Sequence, residues 1–336
     1  MKLTSFLVST EIGKQTRIGA VTDDELVIDL EAAYRLAMLE SGITERAAAR
    51  LSNALLPPDM VAFIEAGEPA MEAARKALDW VSEQDQMQSK HGITFAAKLD
   101  DLMLLSPIPR PPLMRDFMGF ETHLKNIYPK LGLEIPPEWY NIPVYYKGNA
   151  GSVSGHNSDI VIPTFADAID FEFEIAVVIG KGGINIPAEQ AMDHVFGYMI
   201  YNDFSARDIQ NQEMSVGLGP AKGKDFAGAH CLGPWIVTAD EIDDIYNLKM
   251  VARVNGERYC DTHSSTNHWH FKDMIAHASM DEYIHPGEVM GSGTVGGGSG
   301  IEGDTYLRSG DVIELEMEGV GTLRNTVVAA DPDRGN

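Results

Sequence analysis

Asp170-Phe171-Glu172-Phe173-Glu174-Ile175-Ala176-Val177-Val178-Ile179-Gly180 is the stretch that decides how this chain is organised. An alternating start followed by β-branched residues reads as a strand. Glu172 and Glu174 then share one face, roughly 7 Å apart. A second apolar run, Val195-Phe196-Gly197-Tyr198-Met199-Ile200-Tyr201, leads directly to Asn202 and Asp203. Three carboxylates arriving from two strands make a hard oxygen set, suited to Mg²⁺ or Mn²⁺ and unsuited to a soft thiolate metal. Glutamates two apart are ordinarily the wet face of a half-solvated strand. The block after Asp203 argues for more than that, because Arg207 and Gln210 share a face if the segment turns helical.

Composition bounds the rest. The chain has 336 residues, 44% hydrophobic and 23% charged. That is ample for a full core and for two domains. Fifty acidic residues against 26 basic ones give a net charge of −24. A phosphate-backbone binder needs the opposite sign, so nucleic acid is excluded as a partner. The same field concentrates divalent cations near the protein. The two cysteines, Cys231 and Cys260, form no CxxC pattern, so reduced, buried thiols and a cytoplasmic protein are expected. The apolar start, Leu3 to Ser9, is too short for a signal peptide and Glu11 interrupts it. No stretch of about eighteen apolar residues exists, so no membrane span is expected.

Residues 1–106 are expected to form a small N-terminal α/β unit, and residues 107–336 the rest. Strands are read at Leu3 to Ser9, Thr16 to Val21 and Glu25 to Leu30. Helices are read at Asp29 to Ser41, Thr44 to Leu55 and Pro69 to Gln88, the last with proline in its first turn. Pro107, Pro109, Pro111 and Pro112 exclude a central strand or helix and mark the boundary. Phe117 onward reads as a helix start with Asp116 near its N-cap. Asp116 and His123 would then lie two turns apart on one helical face. Tyr146 and Lys147 sit on a strand that enters a Gly-rich bend, and Ile186 to Met192 reads as a helix.

Glu213 to Phe226 reads as a loop, with Lys224 placed to approach an anion. Beyond Gly233 the pattern is mainly β: Pro234 to Thr238, Lys249 to Val254, the Asn255-Gly256 hairpin turn, and Glu257 to Asp261. His268 and His270 would share a strand face, but no third ligand at zinc spacing accompanies them. Gly291-x-Gly293-x-x-Gly296 imitates a dinucleotide fingerprint; it is rejected because no amphipathic helix follows it. Its glycines instead let backbone and Thr294 approach a small ligand. A last hairpin begins at Gly310 and carries Glu314, Glu316 and Glu318 on one face. Residues 331–336 are expected to be a frayed tail.

The set of Asp-Phe-x-x-Phe-x-x-His (116–123), Tyr146-x-Gly148, Asp-Phe-Glu-Phe-Glu (170–174), Asn-Asp-Phe-Ser-Ala-Arg-Asp-Ile-Gln (202–210), Lys224, Gly-Ser-Gly-Thr-Val-Gly (291–296) and Gly-Asp-Val-Ile-Glu (310–314) closely resembles the fumarylacetoacetate hydrolase superfamily. The likeness covers about residues 107 to 328. It implies an α+β, mostly β fold: a mixed β-roll or sandwich catalytic domain behind a smaller N-terminal domain, usually a homodimer, holding Mg²⁺ (or Mn²⁺ or Ca²⁺). By resemblance, Glu172, Glu174 and Asp203 fall on metal ligands, and Asp116 on the fourth carboxylate of eukaryotic-like members. His123 falls on the general base and Glu314 on the carboxylate that orients it. Arg207, Gln210 and Lys224 fall on groups that bind substrate oxygens and the developing oxyanion, and Tyr146 and Thr294 on pocket residues. Met118 and Met214 stand where the family's fumarylacetoacetate cleavers carry substrate-gripping tyrosines. That departure implies a less polar or bulkier acyl group.

The implied reaction is hydrolysis of a C–C bond in a 1,3-diketone or acylpyruvate-type oxo acid, of the kind met in aromatic catabolism. Water activated by His123 adds beside the scissile bond, with oxyanion stabilisation and Lewis-acid help. The alternative on the same site is an isomerase or decarboxylase of a 2-oxo or 2-hydroxymuconate-type diacid. A third reading, a non-catalytic binder of metal or small molecule, leaves the base and oxyanion residues without a purpose.

Overall fold

Strand-forming runs from both halves of the chain meet in one sheet. In the computed structural model, which describes residues 1–89 and 92–331, a twelve-stranded sheet has the path Ala96–Lys98, Leu26–Asp29, Gly13–Val21, Lys2–Thr10, His230–Thr238, Val195–Asp203, Phe173–Ile179, Val289–Gly291, Met114–Phe117, Tyr145–Gly148, with Met103–Leu104 paired to Lys2–Thr10 and Val153–Ser154 to His230–Thr238 off that path. The N-terminal strands therefore continue the sheet of the later ones, joined where Lys2 pairs with Val237 and Leu3 with Ile236. A five-stranded sheet, Glu257–His263, Lys249–Val254, Val312–Met317, Gly321–Val328 and Asp159–Val161, lies against the strands Val195–Asp203 and His230–Thr238. The fold is the expected mixed α/β arrangement dominated by sheets.

The period-2 rule assigns each face of the large sheet to a different core. Along Phe173–Ile179, the side chains of Phe173, Ile175, Val177 and Ile179 enter the core shared with the five-stranded sheet. Ala176 and Val178 enter the other core, beneath the helices Leu30–Glu40, Met60–Glu65 and Glu68–Ser82. Neighbouring strands repeat this split. Met199 and Tyr201, Val289, and Met114 also face the helical side.

Most expected elements form within a few residues of their predicted ends, and several differ for identifiable reasons. The helix expected from Phe117 begins only at Glu121, and Met114–Phe117 is a strand. Parallel pairing of Met114, Arg115 and Asp116 with Val289, Met290 and Gly291 pulls that segment into the sheet. Gly119 then holds the bend by donating its N–H to the Ser292 carbonyl at 2.8 Å. The helix from Pro69 stops at Ser82, and Met60–Glu65 is a helix that the sequence pattern did not announce. His268 and His270 lie on no strand. His268 stacks near Trp139, and His270 stacks on Tyr246 with ring centroids 4.1 Å apart. Both cysteines are free; Cys231 is buried and Cys260 half-buried. Residues 105–113, with their four prolines, form no regular element. Of the expected tail, residues 332–336 lie outside the described residues. Among the described residues no helix is long and apolar enough to cross a membrane.

Candidate active site

Four adjacent strands of the large sheet each end their helical-side row in the same place. The row Val178, Ala176 continues to Glu174; the row Met199, Tyr201 continues to Asp203; Met114 continues to Asp116; and Val289 continues to Gly291. Where apolar side chains stop, carboxylates begin, and the missing side chain at Gly291 leaves room between them. A Cβ there would collide with Asp116 Oδ1 and stand 2.8 Å from Glu174 Oε2.

Asp116, Glu174 and Asp203 thus converge, with one oxygen from each lying within 4.8 Å of the others. All three are buried. Asp116 Oδ1, Glu174 Oε1 and Asp203 Oδ1 have no hydrogen-bond partner among the described residues. Three buried, hard oxygens without hydrogen-bond partners, one from each of these converging carboxylates, fit a divalent cation with oxygen preference; the Glu174 Oε2 that borders the Gly291 gap accepts the Gly293 N–H at 2.9 Å. Burial, and then the charge of Asp203, push the Asp116 carboxyl up to about 7. Burial and the neighbouring Asp116 carry Glu174 well above the usual carboxylate range. Asp203 goes the other way. Burial would raise it, but the Lys224 charge and the His230 ring hold it low.

Glu172 also lines the site but is engaged by cations rather than left orphaned. Its Oε1 accepts from Arg207 at 2.6 Å and its Oε2 from Lys224 Nζ. Lys224 Nζ also donates to Asp203 Oδ2, which accepts the Tyr146 hydroxyl at 2.7 Å as well. Despite burial, these neighbours keep Glu172 below its ordinary range and Lys224 above its own. The segment after Asp203 is indeed helical, Arg207–Ser215. Its first residue donates through Nε to Asp170 Oδ2 at 2.8 Å and through a terminal nitrogen to Gln210 Oε1 at 2.9 Å.

His123, on the helix Glu121–Ile127, meets Glu302 rather than Glu314: Nδ1 lies 2.7 Å from Glu302 Oε1. Glu302 is fixed by four donors in all, receiving also Asn126 Nδ2 at 2.5 Å, the Gly297 N–H at 2.7 Å and the Ser299 hydroxyl at 3.1 Å. Burial raises its pKa, but the His123 hydrogen bond and charge, with the other donors, hold it below the usual range. An ionised Glu302 can only accept, so Nδ1 carries the hydrogen of this pair, and in the neutral ring Nε2 is then the acceptor. The expectation for Glu314 is corrected. It sits on Val312–Met317 in the smaller sheet, opposite Arg253 and 3.9 Å from Arg324, away from His123. A strand can carry Glu314 only to the face its register allows. The turn Gly300–Gly303 instead delivers Glu302 to the helix.

A cavity of about 300 Å³ joins these groups. It is lined by His123, Arg207, Gln210, Lys224, Tyr146, Thr294, Met118, Met214, Asp116, Glu172 and Glu174, while Asp203, fully buried beside Asp116 and Glu174, does not reach its wall. Of the residues on which the family resemblance places the catalytic, binding and metal roles, Glu314 lies elsewhere. A larger cleft of about 760 Å³ opens beside Arg17 and Arg35, but Glu31 and Glu45 already pair with those arginines.

Residues missed in the sequence are the supports. Asp170 is the third acid of an alternating series 170, 172, 174, a signal that was available. It holds Arg207 and accepts the N–H groups of Gly300 and Ile301 at 2.6 and 3.0 Å. His230 lies 3.3 Å from Asp203, 3.2 Å from Asp225 and 2.7 Å from the Tyr201 hydroxyl. Glu302, between Ile301 and Gly303, had only its glycine-rich neighbourhood to mark it.

Comparison with known proteins gives the following. Residues 113–328 match the family described as "Fumarylacetoacetate (FAA) hydrolase C-terminal". The chain is 34% identical over 277 residues to human "Oxaloacetate tautomerase FAHD2A, mitochondrial", covering 81% of each. It is 29% identical over 323 residues to "Oxaloacetate tautomerase YisK" of Bacillus subtilis (strain 168), covering 94% of this chain and 98% of that one. Among solved structures it resembles maleylpyruvate hydrolase from Sphingobium sp. SYK-6 in complex with manganese (II) ion and pyruvate. The TM-score is 0.69 at 21% identity, covering 98% of this chain and 100% of that one, a likeness of fold.

Proposed function

We propose, because this chain belongs to the fumarylacetoacetate hydrolase family, that it is a divalent-cation-dependent enzyme acting on a short 2-oxo acid, and that its reaction is keto–enol tautomerisation. One observation carries this. Asp116 and Glu174, whose orphaned oxygens lie beside that of Asp203, line the same cavity as a histidine whose other nitrogen is held by an ionised glutamate. The names of relatives sharing about a third of its residues supply the reaction type.

Asp116, Glu174 and Asp203 would hold the cation, with Glu172 beside them. When bound, Mg²⁺ or Mn²⁺ supplies Lewis-acid stabilisation of negative charge on the keto oxygen. His123 Nε2 takes a proton from the carbon beside the keto group. The C–H electron pair becomes the C=C bond, and the keto oxygen gains a proton from solvent. Glu302 offsets the positive charge that develops on the imidazole. Lys224 Nζ has three donors, of which two go to Glu172 and Asp203. The third is free to donate to the substrate oxygen. Arg207 and Gln210 orient the acid group from the helix start.

A second reading is favoured by the same dyad. His123 can equally draw a proton from water, which would then add to an acylpyruvate and cleave its C–C bond. The deciding experiment follows oxaloacetate enol absorbance and the products of an acylpyruvate, with Mg²⁺ or Mn²⁺ and with chelator. Tautomerisation alone leaves every carbon skeleton whole, whereas hydrolysis yields two acids. Cation binding without change in either compound returns the protein to the non-catalytic class.

A further inference from the structure

Two helical ramps leave the polar end of the cavity, and both turn apolar. The first runs from His123 to Ile127, four residues on along the helix Glu121–Ile127, and then past Tyr128 to Leu131 at the end of the short turn Pro129–Leu131. The second runs from Arg207 through Gln210 to Met214 on the helix Arg207–Ser215. On an α-helix positions three or four apart share a face, and the seven residues from Arg207 to Met214 advance roughly 10 Å. The cavity walls therefore pass from the acid–base groups to Ile127, Leu131 and Met214 over about the length of a substituted 2-oxo acid.

The outer part offers no counter-charge to a second carboxylate, its polar side chains there being the neutral Tyr128 and Asn211. Among the described residues lining the cavity, the groups able to carry positive charge are His123, Arg207 and Lys224. His123 is paired with Glu302, Arg207 with Asp170 and Glu172, and Lys224 with Glu172 and Asp203. All three lie at the inner end. An anionic group further out would lose water without gaining a counter-charge, in a chain of net charge −24. Meanwhile large apolar side chains stand open there: Met214 is 51% and Leu131 46% exposed. Such exposure around a cavity mouth marks a place that a ligand covers.

We propose that the substrate carries an apolar arm, an aryl or branched alkyl group, beyond the carbon next to its 2-oxo acid, and that Leu131 and Met214 select it against a second carboxylate. This rests on the 2-oxo-acid reading above and narrows its substrate class.

The test compares phenylpyruvate with oxaloacetate as tautomerisation substrates of the full chain with Mn²⁺, in wild type, Met214→Arg and Leu131→Arg. Both positions are half-exposed, so neither variant opens a core. The expected result is a kcat/KM at least tenfold higher for phenylpyruvate in wild type. Each arginine should lower that ratio tenfold or more, chiefly through KM. Equal or better turnover of oxaloacetate in wild type overturns the apolar-arm assignment while leaving the 2-oxo-acid reading intact. So do ratios that neither variant moves. Turnover of neither acid, in protein shown to bind Mn²⁺, overturns both.

Discussion

Asp170 Oδ1 accepts the backbone N–H of Gly300 at 2.6 Å across 130 residues of sequence. Through its other oxygen the same carboxylate holds the Ile301 N–H and Arg207 Nε. One buried side chain thereby sets two things at once: the guanidinium at the start of the Arg207 helix and the turn that brings Glu302 to His123. Burial works against its ionisation, and the Arg207 charge works for it.

Asp170→Asn should therefore impair activity without touching substrate. The amide keeps an acceptor for the turn but leaves Arg207 with one carboxylate fewer. A loss of about 10- to 100-fold in kcat is expected, the usual cost of removing a group that orients a reacting one. Steady-state kinetics should show kcat falling more than KM rises. Unchanged kcat in a folded variant would remove Asp170 from this role.

Glu302→Gln and Glu314→Gln separate the structure from the sequence expectation. The first removes the charge that opposes the imidazolium and should cost about 10²- to 10⁴-fold in kcat, the range of a lost general-base contribution. The second changes a partly exposed residue on the smaller sheet and should leave kcat within about twofold, as surface substitutions generally do. Calorimetric Mn²⁺ titration should give the same affinity for both, because neither carboxylate belongs to the orphaned set.

Gly291→Ala should destroy the cation site while changing only one methyl group. The new Cβ meets Asp116 Oδ1 and approaches Glu174 Oε2. The strand Val289–Gly291 is paired on both sides and cannot swing away. Mn²⁺ affinity should fall by at least about tenfold, in line with disturbed ligand positioning. Full affinity in this variant would place the cation elsewhere.

Cation affinity should weaken as pH falls through about 7, where the Asp116 carboxyl takes up its proton. Binding near neutral pH should release protons, seen as a dependence of the calorimetric heat on buffer. The cation-free protein has the opposite linkage. Asp116 is raised from an ordinary 3.8 to about 7, so the folded state binds more protons than the unfolded one between those values. Its contribution to stability falls as pH rises across that window. Thermal melts at pH 5 and 8, with and without Mg²⁺, should show added cation restoring more stability at pH 8.

The sequence by itself determined two central strands of the sheet, because an extended chain along Phe173–Ile179 and Val195–Asp203 leaves each side chain one of two faces. It also determined which residues carry the chemistry on those strands: a carboxylate ending an apolar row has the face of that row. Glu174 and Asp203 were legible for that reason. Only the tertiary structure decided what comes from elsewhere. Asp116 looked like a helix cap because nothing local announces parallel pairing with Val289–Gly291, 175 residues away. Glu302, unlike Glu314, carries no strand pattern to mark it, because a turn residue reaches its partner through loop geometry, which no periodicity encodes. The orphaned oxygens are likewise a property of approach. Each carboxylate is ordinary on its own strand, and only strand order and the missing side chain at Gly291 bring the three together with one oxygen of each left without a hydrogen-bond partner.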